Sequence, residues 1–322
     1  MVGAVLVYND SIIGEGFHQL YGQPHAEVNC IDSVAAENKH LIEKSILYVS
    51  LEPCAHFGKT PPCADLIIKY KIPNVIISCR DIFAAVDGKG IEKLKGAGVN
   101  VTVGILENES LELNKRFFTF HKKQRPYIIL KWAQSNNKKI SGKGGERIFI
   151  SNEFTNRLVH QWRSEEAAIM VGTTTALKDN PALTARLYPG KNPVRLVIDM
   201  DLKLPFTLQL FDGTVKTIVF NQQKNEPGEM LSFYKLNREE KTIPQILNIL
   251  YTLQTQSVII EGGAKLLQSF IDDNLWDEAR VITNVELKIP EGVNAPVFEN
   301  KKLIKEETIL TNKISYFINN QT

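Results

Sequence analysis

Apolar and polar positions along the first half of the chain predict strands and helices in turn. The apolar runs MVGAVLVY and SIIGEGFH flank Asn9 and Asp10, and two turn-forming residues between two such runs predict a β-hairpin. Further strands are predicted at 45–52, 74–79 and 99–106, and helices at 25–36, from Cys63 onward, at 90–98 and at 108–121. This order predicts an α/β domain in which helices cover a sheet.

A charged segment that ends in proline, KKQRP at 122–126, precedes a new apolar run. We therefore predict one domain at residues 1–122 and a second at 123–322. The second half alternates again, with strands predicted at 127–135, 167–175, 194–201, 215–221 and 257–263 and helices at 243–255 and 264–274. The polar stretch 222–242 is predicted to be a surface excursion.

Composition and charge narrow the classes of function. With 322 residues, 43% hydrophobic and 23% charged, the chain has a globular composition and the length for two cores. A net charge of +2 disfavours a nucleic-acid partner and leaves open a local basic site for a phosphorylated small molecule. No apolar stretch reaches the roughly 20 residues of a membrane span, and no signal peptide is recognisable, so we predict a cytoplasmic protein without a membrane partner.

One histidine and two cysteines have the order of a catalytic zinc site. His25 begins a predicted helix, Cys54 follows a strand, and Cys63 opens the next helix, where the helix dipole favours a thiolate. Three protein ligands leave the fourth position of a tetrahedral zinc open to water. Zinc would acidify that water, and Glu27 could carry the proton. The pattern H-x-E…P-C…C is that of zinc deaminases.

Each of these residues taken alone has a commoner role, since a lone histidine at a helix start is usually a cap or a solvated group. Their joint order on alternating strands and helices favours the metal site. The remaining histidines are predicted to be structural or on the surface, namely His18, His40, His56, His121 and His160. Cys30 lies inside the first predicted helix and Cys79 inside a predicted strand, so both are predicted to be buried core thiols and not ligands.

The loop EPCAHFGKTPPC at 52–63 is neither a phosphate loop nor a redox pair. In the pattern G-x-x-x-x-G-K-[ST] the first glycine would fall on Pro53, and eight residues separate the two cysteines instead of two. Lys59 and Thr60 could contact the phosphate or the base of a substrate, or they could simply be solvated.

The second half has no G-x-G-x-x-G sequence. Its glycine-rich segment is EGG at 261–263, between a predicted strand and a predicted helix, where backbone N–H groups can face an anion. Lys131 lies in the apolar run YIILKWA, Arg163 follows a predicted helix, and DNP at 179–181 leads to Arg186. Taken singly, each is more often a surface charge or a turn.

HAE followed by LEPCAHFGKTPPC resembles the deaminase domain of the bifunctional pyrimidine deaminase/reductase of riboflavin biosynthesis. The second half resembles the reductase domain of the same family in LKWAQS, VGTTTALKDNPALTAR and EGGAKLL. The resemblance implies a cytidine-deaminase-like three-layer α/β domain that binds Zn²⁺, and a dihydrofolate-reductase-like domain that uses NADPH. It also implies a homodimer formed through the reductase domain.

The resemblance also assigns roles by position. Glu27 would be catalytic, His25, Cys54 and Cys63 would hold the metal, and Lys59 and Thr60 would contact the deaminase substrate. In the second domain the expected substrate contacts are Arg163, Leu183, Arg186 and Glu261. The expected NADPH contacts are Ala133, Phe149, Thr175, Asp179, Gly263, Ala264, Lys265, Leu266, Leu267, Gln268 and Ser269.

Several stretches depart from the family pattern. The family has a helix and a P-N-P segment before V-G, whereas this chain starts with MVG at 1–3, so we expect exposed apolar surface on one face of the sheet. DIFA at 81–84 replaces D-P-N-P, and SNNK at 135–138 replaces S-x-D-G. Arg147 stands where the family has a substrate-contacting serine.

The implied function is deamination of a phosphoribosylaminopyrimidine, followed by NADPH-dependent reduction of its ribose. One alternative is a chain that acts only as a reductase and carries an impaired deaminase scaffold. A nucleic-acid deaminase with an accessory domain is the other alternative, and the low net charge disfavours it.

Overall fold

The computed structural model describes residues 1–20, 22–58, 60–83 and 86–321. The chain divides into two units, Met1–Lys122 (unit 1) and Lys123–Thr322 (unit 2). Within the described part of the chain, no helix is long and apolar enough to cross a membrane.

Unit 1 contains a five-stranded sheet in the order β2-β1-β3-β4-β5. Its strands are β1 Gly3–Tyr8, β2 Ser11–Phe17, β3 Ile46–Val49, β4 Asn74–Ile77 and β5 Asn100–Val103. Its helices are α1 Ala26–Asp32, α2 Cys63–Lys69, α3 Lys89–Gly96, α4 Glu107–Leu113 and α5 Lys115–Lys123, with a 3₁₀ segment at Ala36–Lys44. Strand β1 pairs antiparallel with β2 and β3, whereas β3, β4 and β5 are parallel.

The predicted hairpin is confirmed, and its turn explains why. Asn9 and Asp10 have φ angles of 46° and 58°, the left-handed conformation that a tight two-residue turn needs and that these residue types tolerate. The helix predicted at 25–36 ends earlier, at Asp32, where the Ser33 hydroxyl donates to the carbonyl of Cys30. The helix predicted at 108–121 is two helices, α4 and α5.

Two glycines of β2 allow α1 to lie directly on the sheet. A Cβ on Gly16 would lie 2.3 Å from the amide nitrogen of Cys30 and 2.7 Å from the carbonyl oxygen of Ala26. A Cβ on Gly14 would lie 2.6 Å from the Cys30 carbonyl oxygen. The segment GEG therefore sets the depth of α1, and with it the position of the residues at the start of that helix.

The face of this sheet opposite α1 carries exposed apolar side chains. An open cavity of about 840 Å³ lies over it, and its lining includes Val5, Tyr48, Ile76, Leu106 and Leu113. Tyr48 is 37% exposed and Leu106 is 65% exposed.

Unit 2 contains a nine-stranded sheet in the order β11-β10-β9-β8-β12-β6-β13-β16-β15, beside the short pair β14-β7. Its first strands are β6 Tyr127–Ser135, β7 Lys139–Ser141, β8 Ala168–Gly172, β9 Val194–Ile198, β10 Thr217–Asn221 and β11 Leu231–Lys235. The later strands are β12 Ser257–Ile260, β13 Glu278–Asn284, β14 Val293–Asn294, β15 Lys301–Ile309 and β16 Asn312–Asn319. The helices are α6 Glu153–Glu165, α7 Thr173–Asp179, α8 Thr242–Thr252 and α9 Ala264–Asp272.

Both faces of the larger sheet are buried, which explains why its central strands are continuous apolar runs. In β6, Ile128 and Leu130 belong to the cluster on one face, where Phe270 of α9 packs. Ile129 belongs to the cluster on the other face, where Trp162 of α6 packs. The pairs from β11 to β13 along the sheet are parallel, and β16 pairs antiparallel with β13 and β15.

Three sequence predictions for this unit are wrong in detail. The strand predicted at 167–175 ends at Gly172, and its threonines start α7 despite their preference for strands. The stretch 222–242 contains β11, an edge strand whose neighbours are polar enough to hide it. Arg163 lies inside α6 and not after a helix. No strand or helix was predicted beyond residue 274, so strands β13 to β16 are known from the structure alone.

The close contact between α1 and β2 gives a first prediction. Gly16→Ala should lower the free energy of unfolding of unit 1 by about 2 kcal/mol, the usual cost of overpacking, because the helix backbone has no room to move aside. Gly3→Ala is the control, since a Cβ there would meet its nearest neighbour at 3.9 Å. Urea unfolding followed by circular dichroism measures both, and equal effects would contradict the packing argument.

Candidate metal centre and reductase site

One nitrogen and two sulfur atoms that could bind a metal lie close together at one edge of the sheet in unit 1. His25 is the N-cap of α1, Cys63 is the first residue of α2, and Cys54 follows β3. His25 Nδ1 lies 3.5 Å from Cys54 Sγ and 3.3 Å from Cys63 Sγ. The three ligand atoms all lie within 4.8 Å of one another.

The donor set and its spacing fit a four-coordinate zinc. Zinc bonds of about 2.0 Å to nitrogen and 2.3 Å to sulfur at the tetrahedral angle give nitrogen-to-sulfur separations of about 3.5 Å. The separations of His25 Nδ1 from the two sulfurs are close to this value, so the side chains need little movement to bind the ion. Three ligands of this kind leave one position for water or substrate.

The two thiols differ in their pKa values. A hydrogen bond from the Cys63 thiol lowers the pKa of Cys54 to about 4, and the contact with His25 acts in the same direction. Donation of that hydrogen bond raises the pKa of Cys63. The hydrogen bond to Cys54 raises the pKa of His25. The Cys54 thiol therefore loses its proton more readily than the Cys63 thiol.

Glu27 lies in the first turn of α1 and is 3% exposed. Burial raises the pKa of its carboxyl group, and the Cys63 thiol lies beside it. A buried carboxyl group with a raised pKa is suited to general acid–base chemistry.

The loop between the cysteines approaches the ring of His25. Thr60 Oγ1 lies 3.4 Å from His25 Nε2, the nitrogen that faces away from the two sulfurs. A partner on the second nitrogen fixes the orientation of a ligating imidazole. Thr60 therefore contacts the candidate ligand, and its expected substrate contact stays a prediction. Lys59, and Ala84 of the segment DIFA, lie outside the described residues.

Cys30 and Cys79 are buried, as predicted, and burial raises their pKa values to about 12 and 11. Glu52, two residues before Cys54, is also buried, and it was not predicted from the sequence. Its position at the end of the predicted strand 45–52 was the available signal, because a buried carboxyl group there must find hydrogen-bond donors inside the fold.

In unit 2 the corresponding polar cluster lies at the end of β12. The Glu261 carboxylate accepts two hydrogen bonds from Arg163 of α6, at 2.7 Å each, and Lys131 Nζ of β6 lies 3.4 Å away. Burial alone would raise the pKa of Glu261, but the two cations outweigh it and lower the pKa to about 2. Burial, with Arg163 and Arg186 nearby, lowers the pKa of His160 to about 4, so this imidazole is neutral.

Two other expected substrate contacts, Leu183 and Arg186, lie in the segment after α7. Leu183 is 2% exposed and has a φ angle of 51°, so its backbone is the part that could face a ligand. Arg186 is exposed, whereas Arg163 already donates to Glu261 and to the carbonyl of Thr184. The fully buried Arg195 of β9 donates to the Ala182 carbonyl at 2.9 Å, and this anchor was not foreseen from the sequence.

The expected NADPH contacts outside the segment Gly263–Ser269 are Ala133, Phe149, Thr175 and Asp179. Thr175 lies beside the EGG turn, where a Cβ on Gly262 would come within 2.8 Å of its methyl group. Phe149 is 80% exposed, with the guanidinium of Arg147 5.0 Å from its ring centre, and Arg147 also donates to the Asp179 carbonyl. Ala133, at the far end of β6, is partly buried.

Within Gly263–Ser269 the side chains have different partners. Gly263 is the N-cap of α9 and supplies no side-chain cap, so the first N–H groups of Ala264 and Lys265 are the groups that can face an anion. Leu266 and Leu267 belong to the core. The remaining two are engaged locally, since Gln268 bonds to the backbone of residue 297 and the Ser269 hydroxyl donates to the carbonyl of residue 265.

Comparison with known proteins assigns each unit to a domain family. Residues 1–79 match the cytidine and deoxycytidylate deaminase zinc-binding region, and residues 126–284 match the RibD C-terminal domain. The riboflavin biosynthesis protein RibD of Aquifex aeolicus is 38% identical over 89% of this chain and 81% of its own length. RibD of Bacillus amyloliquefaciens is 38% identical over 86% of this chain and 76% of its own length.

Solved structures agree over both units. The crystal structure of a diaminohydroxyphosphoribosylaminopyrimidine deaminase/5-amino-6-(5-phosphoribosylamino)uracil reductase from Thermotoga maritima has a TM-score of 0.90 at 33% identity. That similarity covers 99% of this chain and 91% of the Thermotoga chain. RibD of Acinetobacter baumannii has a TM-score of 0.87 at 28% identity, over 99% of this chain and 92% of its own.

Fold and site thus define a two-domain enzyme with a zinc-binding deaminase domain and a reductase domain. The chain belongs to the RibD family of riboflavin biosynthesis proteins. It is a bifunctional deaminase and reductase whose cofactors are Zn²⁺ and NADPH. Because both domains match, the full-length similarity favours the bifunctional interpretation over a reductase that acts alone.

The buried ion cluster of unit 2 gives a second prediction. Glu261→Gln should lower the free energy of unfolding of unit 2 by about 3 kcal/mol at neutral pH, because it leaves Arg163 and Lys131 buried without their counter-charge. The folded-state pKa of Glu261 is depressed, so its contribution is fully present above the unfolded value of about 4.3 and is lost as pH falls toward 2. The difference between variant and parent should shrink over that window.

Urea unfolding at neutral pH and at about pH 3 measures this effect. Glu165→Gln, an exposed position on the same α6 helix, is the matched control and should change stability little. A difference that is the same at both pH values would contradict the assignment of the depressed pKa to Glu261.

Proposed function

We propose that unit 1 hydrolytically deaminates 2,5-diamino-6-(5-phosphoribosylamino)pyrimidin-4(3H)-one. We further propose that unit 2 reduces the ribose of 5-amino-6-(5-phosphoribosylamino)uracil to the ribityl group with NADPH. The observation that carries the proposal is the meeting of His25, Cys54 and Cys63 beside the buried Glu27, in a chain that also holds a buried arginine–glutamate cluster. The activity named for the Thermotoga maritima relative supports both substrates.

In unit 1, His25 Nδ1 and the sulfurs of Cys54 and Cys63 would hold zinc. Bound zinc supplies a Lewis acid that makes water nucleophilic at neutral pH. Glu27 would accept a proton from the attacking water and deliver it to the departing amine, a role supported by its burial and its raised pKa. Thr60 would keep the imidazole oriented through its contact with Nε2.

In unit 2 we assign substrate contacts to Arg163, Leu183, Arg186 and Glu261. The exposed guanidinium of Arg186 is the group best able to take the phosphate, because a guanidinium can bind it with two parallel hydrogen bonds. Arg163 would act mainly by holding the Glu261 carboxylate for the sugar hydroxyls. The backbone N–H of Leu183 would complete the contact.

NADPH supplies the hydride, and the protein positions it. We assign its contacts to Ala133, Phe149, Thr175, Asp179 and the segment Gly263–Ser269. The uncapped start of α9 supports a cofactor phosphate there, since free N–H groups and the helix dipole both attract an anion. The exposed ring of Phe149 offers a flat apolar surface to the cofactor.

We also propose a homodimer formed through unit 2, in the cytoplasm. Strand β15 lies at one end of the nine-stranded sheet, with Leu303 47% and Ile304 49% exposed. Apolar side chains on an edge strand are a common interface between copies. A reducing compartment suits the two thiol ligands of unit 1.

Glu27→Gln tests the deaminase assignment. The amide cannot transfer the proton, so ammonia release should fall by at least about 100-fold, the lower end of the contribution of a general acid–base group. Zinc content should stay near that of the parent protein, because Glu27 is not a proposed ligand. NADPH oxidation with pre-deaminated substrate should be unchanged.

Glu37→Gln, an exposed position of unit 1, is the control and should keep both activities. Loss of both activities in Glu27→Gln would contradict two independent sites. A parent protein that binds about one zinc per chain without releasing ammonia would instead support a reductase with an inert deaminase scaffold.

Sedimentation velocity tests the dimer. The parent protein should sediment as two chains, and Leu303→Glu should shift it toward one chain by placing a charge in the interface. Leu253→Glu, an exposed leucine after α8, should leave the mass unchanged. A single-chain parent protein would exclude this part of the proposal.

A further inference from the structure

The Glu52 carboxylate collects four backbone hydrogen bonds two residues before Cys54. Oε1 accepts from the N–H groups of Gly90, at 2.9 Å, and Ile91, at 3.2 Å. Oε2 accepts from Gly88, at 3.0 Å, and Asp81, at 3.3 Å. The carboxylate is therefore buried among donors that come from another part of the chain.

These donors belong mainly to the start of α3. The N-cap of that helix is Gly88, which has no side chain to accept from the first N–H groups. Glu52 takes the place of an N-cap residue, and its negative charge lies at the positive end of the helix dipole. Helix α3 is in this way attached to the segment that leads to Cys54.

A glycine in the first turn of α3 makes the attachment close. A Cβ on Gly90 would lie 1.9 Å from the carbonyl oxygen of Pro53 and 3.2 Å from Glu52 Oε1. No larger residue fits there unless the helix or the Pro53 peptide moves. The first turn of α3 therefore rests directly on the peptide that precedes Cys54.

The same short segment is held from two further sides. The Glu52 N–H donates to the Cys79 carbonyl after β4 at 3.0 Å. The Ala64 N–H, in the first turn of α2, donates to the Cys54 carbonyl at 3.1 Å. Residues 52–54 thus connect β4, α2 and α3, and Cys54 Sγ has little freedom to change its distance from His25 and Cys63.

We propose that Glu52 and Gly90 are positioning residues for the metal centre. Together they hold the Pro53–Cys54 peptide against α3, so that Cys54 Sγ stays at zinc-binding distance from His25 and Cys63. The inference rests on the zinc site of the proposed function and adds the residues that set its geometry. Neither residue belongs to the candidate ligand set of His25, Cys54 and Cys63.

Two variants and two matched controls test the proposal in the full chain. Glu52→Gln keeps the size of the side chain but leaves one of its two terminal atoms unable to accept from α3. Gly90→Ala inserts a methyl group against the Pro53 carbonyl. Glu92→Gln, exposed in the first turn of the same helix, and Gly96→Ala, where a Cβ meets nothing within 4 Å, are the controls.

Zinc affinity, measured by competition with a chromophoric chelator, should fall about 10-fold or more in Glu52→Gln and Gly90→Ala, as for other groups that support metal ligands. The near-ultraviolet spectrum of the cobalt-loaded protein should show weaker thiolate-to-cobalt charge-transfer absorption in both variants. Both controls should match the parent protein. The reductase activity of unit 2 should be unchanged in all four.

Parent-like zinc affinity and cobalt spectra in both variants would overturn the proposal. Loss of the circular dichroism of folded unit 1 in either variant would also overturn it, because the two residues would then be needed for the fold as a whole. A parent protein that binds neither zinc nor cobalt would contradict the proposed zinc site itself, which separates that failure from this one.

Discussion

Strand direction is the constraint on which both sites depend. In unit 1, β2 and β3 each run antiparallel to β1 and therefore run in the same direction, so the helices that follow them start at the same sheet edge. That edge receives His25, Cys54 and Cys63, although they are far apart in sequence. In unit 2, the parallel strands β8, β12 and β6 likewise bring the starts of α7 and α9 together.

The two units use buried charge in different ways. In unit 1 the thiols of Cys54 and Cys63 differ in pKa, and with His25 they form a donor set that fits a metal cation. In unit 2 the carboxylate of Glu261 already has Arg163 and Lys131 as partners. The first arrangement suits a metal ion, whereas the second is a polar cluster whose carboxylate already has its cationic partners.

The sequence pattern predicted secondary structure correctly where a short stretch of residues determines its own backbone conformation. Asn9 and Asp10 tolerate the left-handed turn of a hairpin, and the apolar run 127–135 became β6 over the same residues. The sequence pattern gave wrong predictions where tertiary packing outweighs the intrinsic secondary-structure propensity of the residues. The threonines after Gly172 prefer strands but begin α7, and β11 is concealed by polar neighbours because an edge strand buries only part of its surface.

The sequence by itself determined the chemistry: which residues could bind zinc, their order, and the family whose motifs they resemble. The tertiary structure alone decided the distances, since the separation of His25 from Cys54 depends on how closely α1 packs on Gly16. It also decided which side chains are already engaged, such as Arg163 on Glu261 and Thr60 on His25. The physical reason is that hydrogen bonds and close packing between elements distant in sequence leave no periodic pattern along the chain.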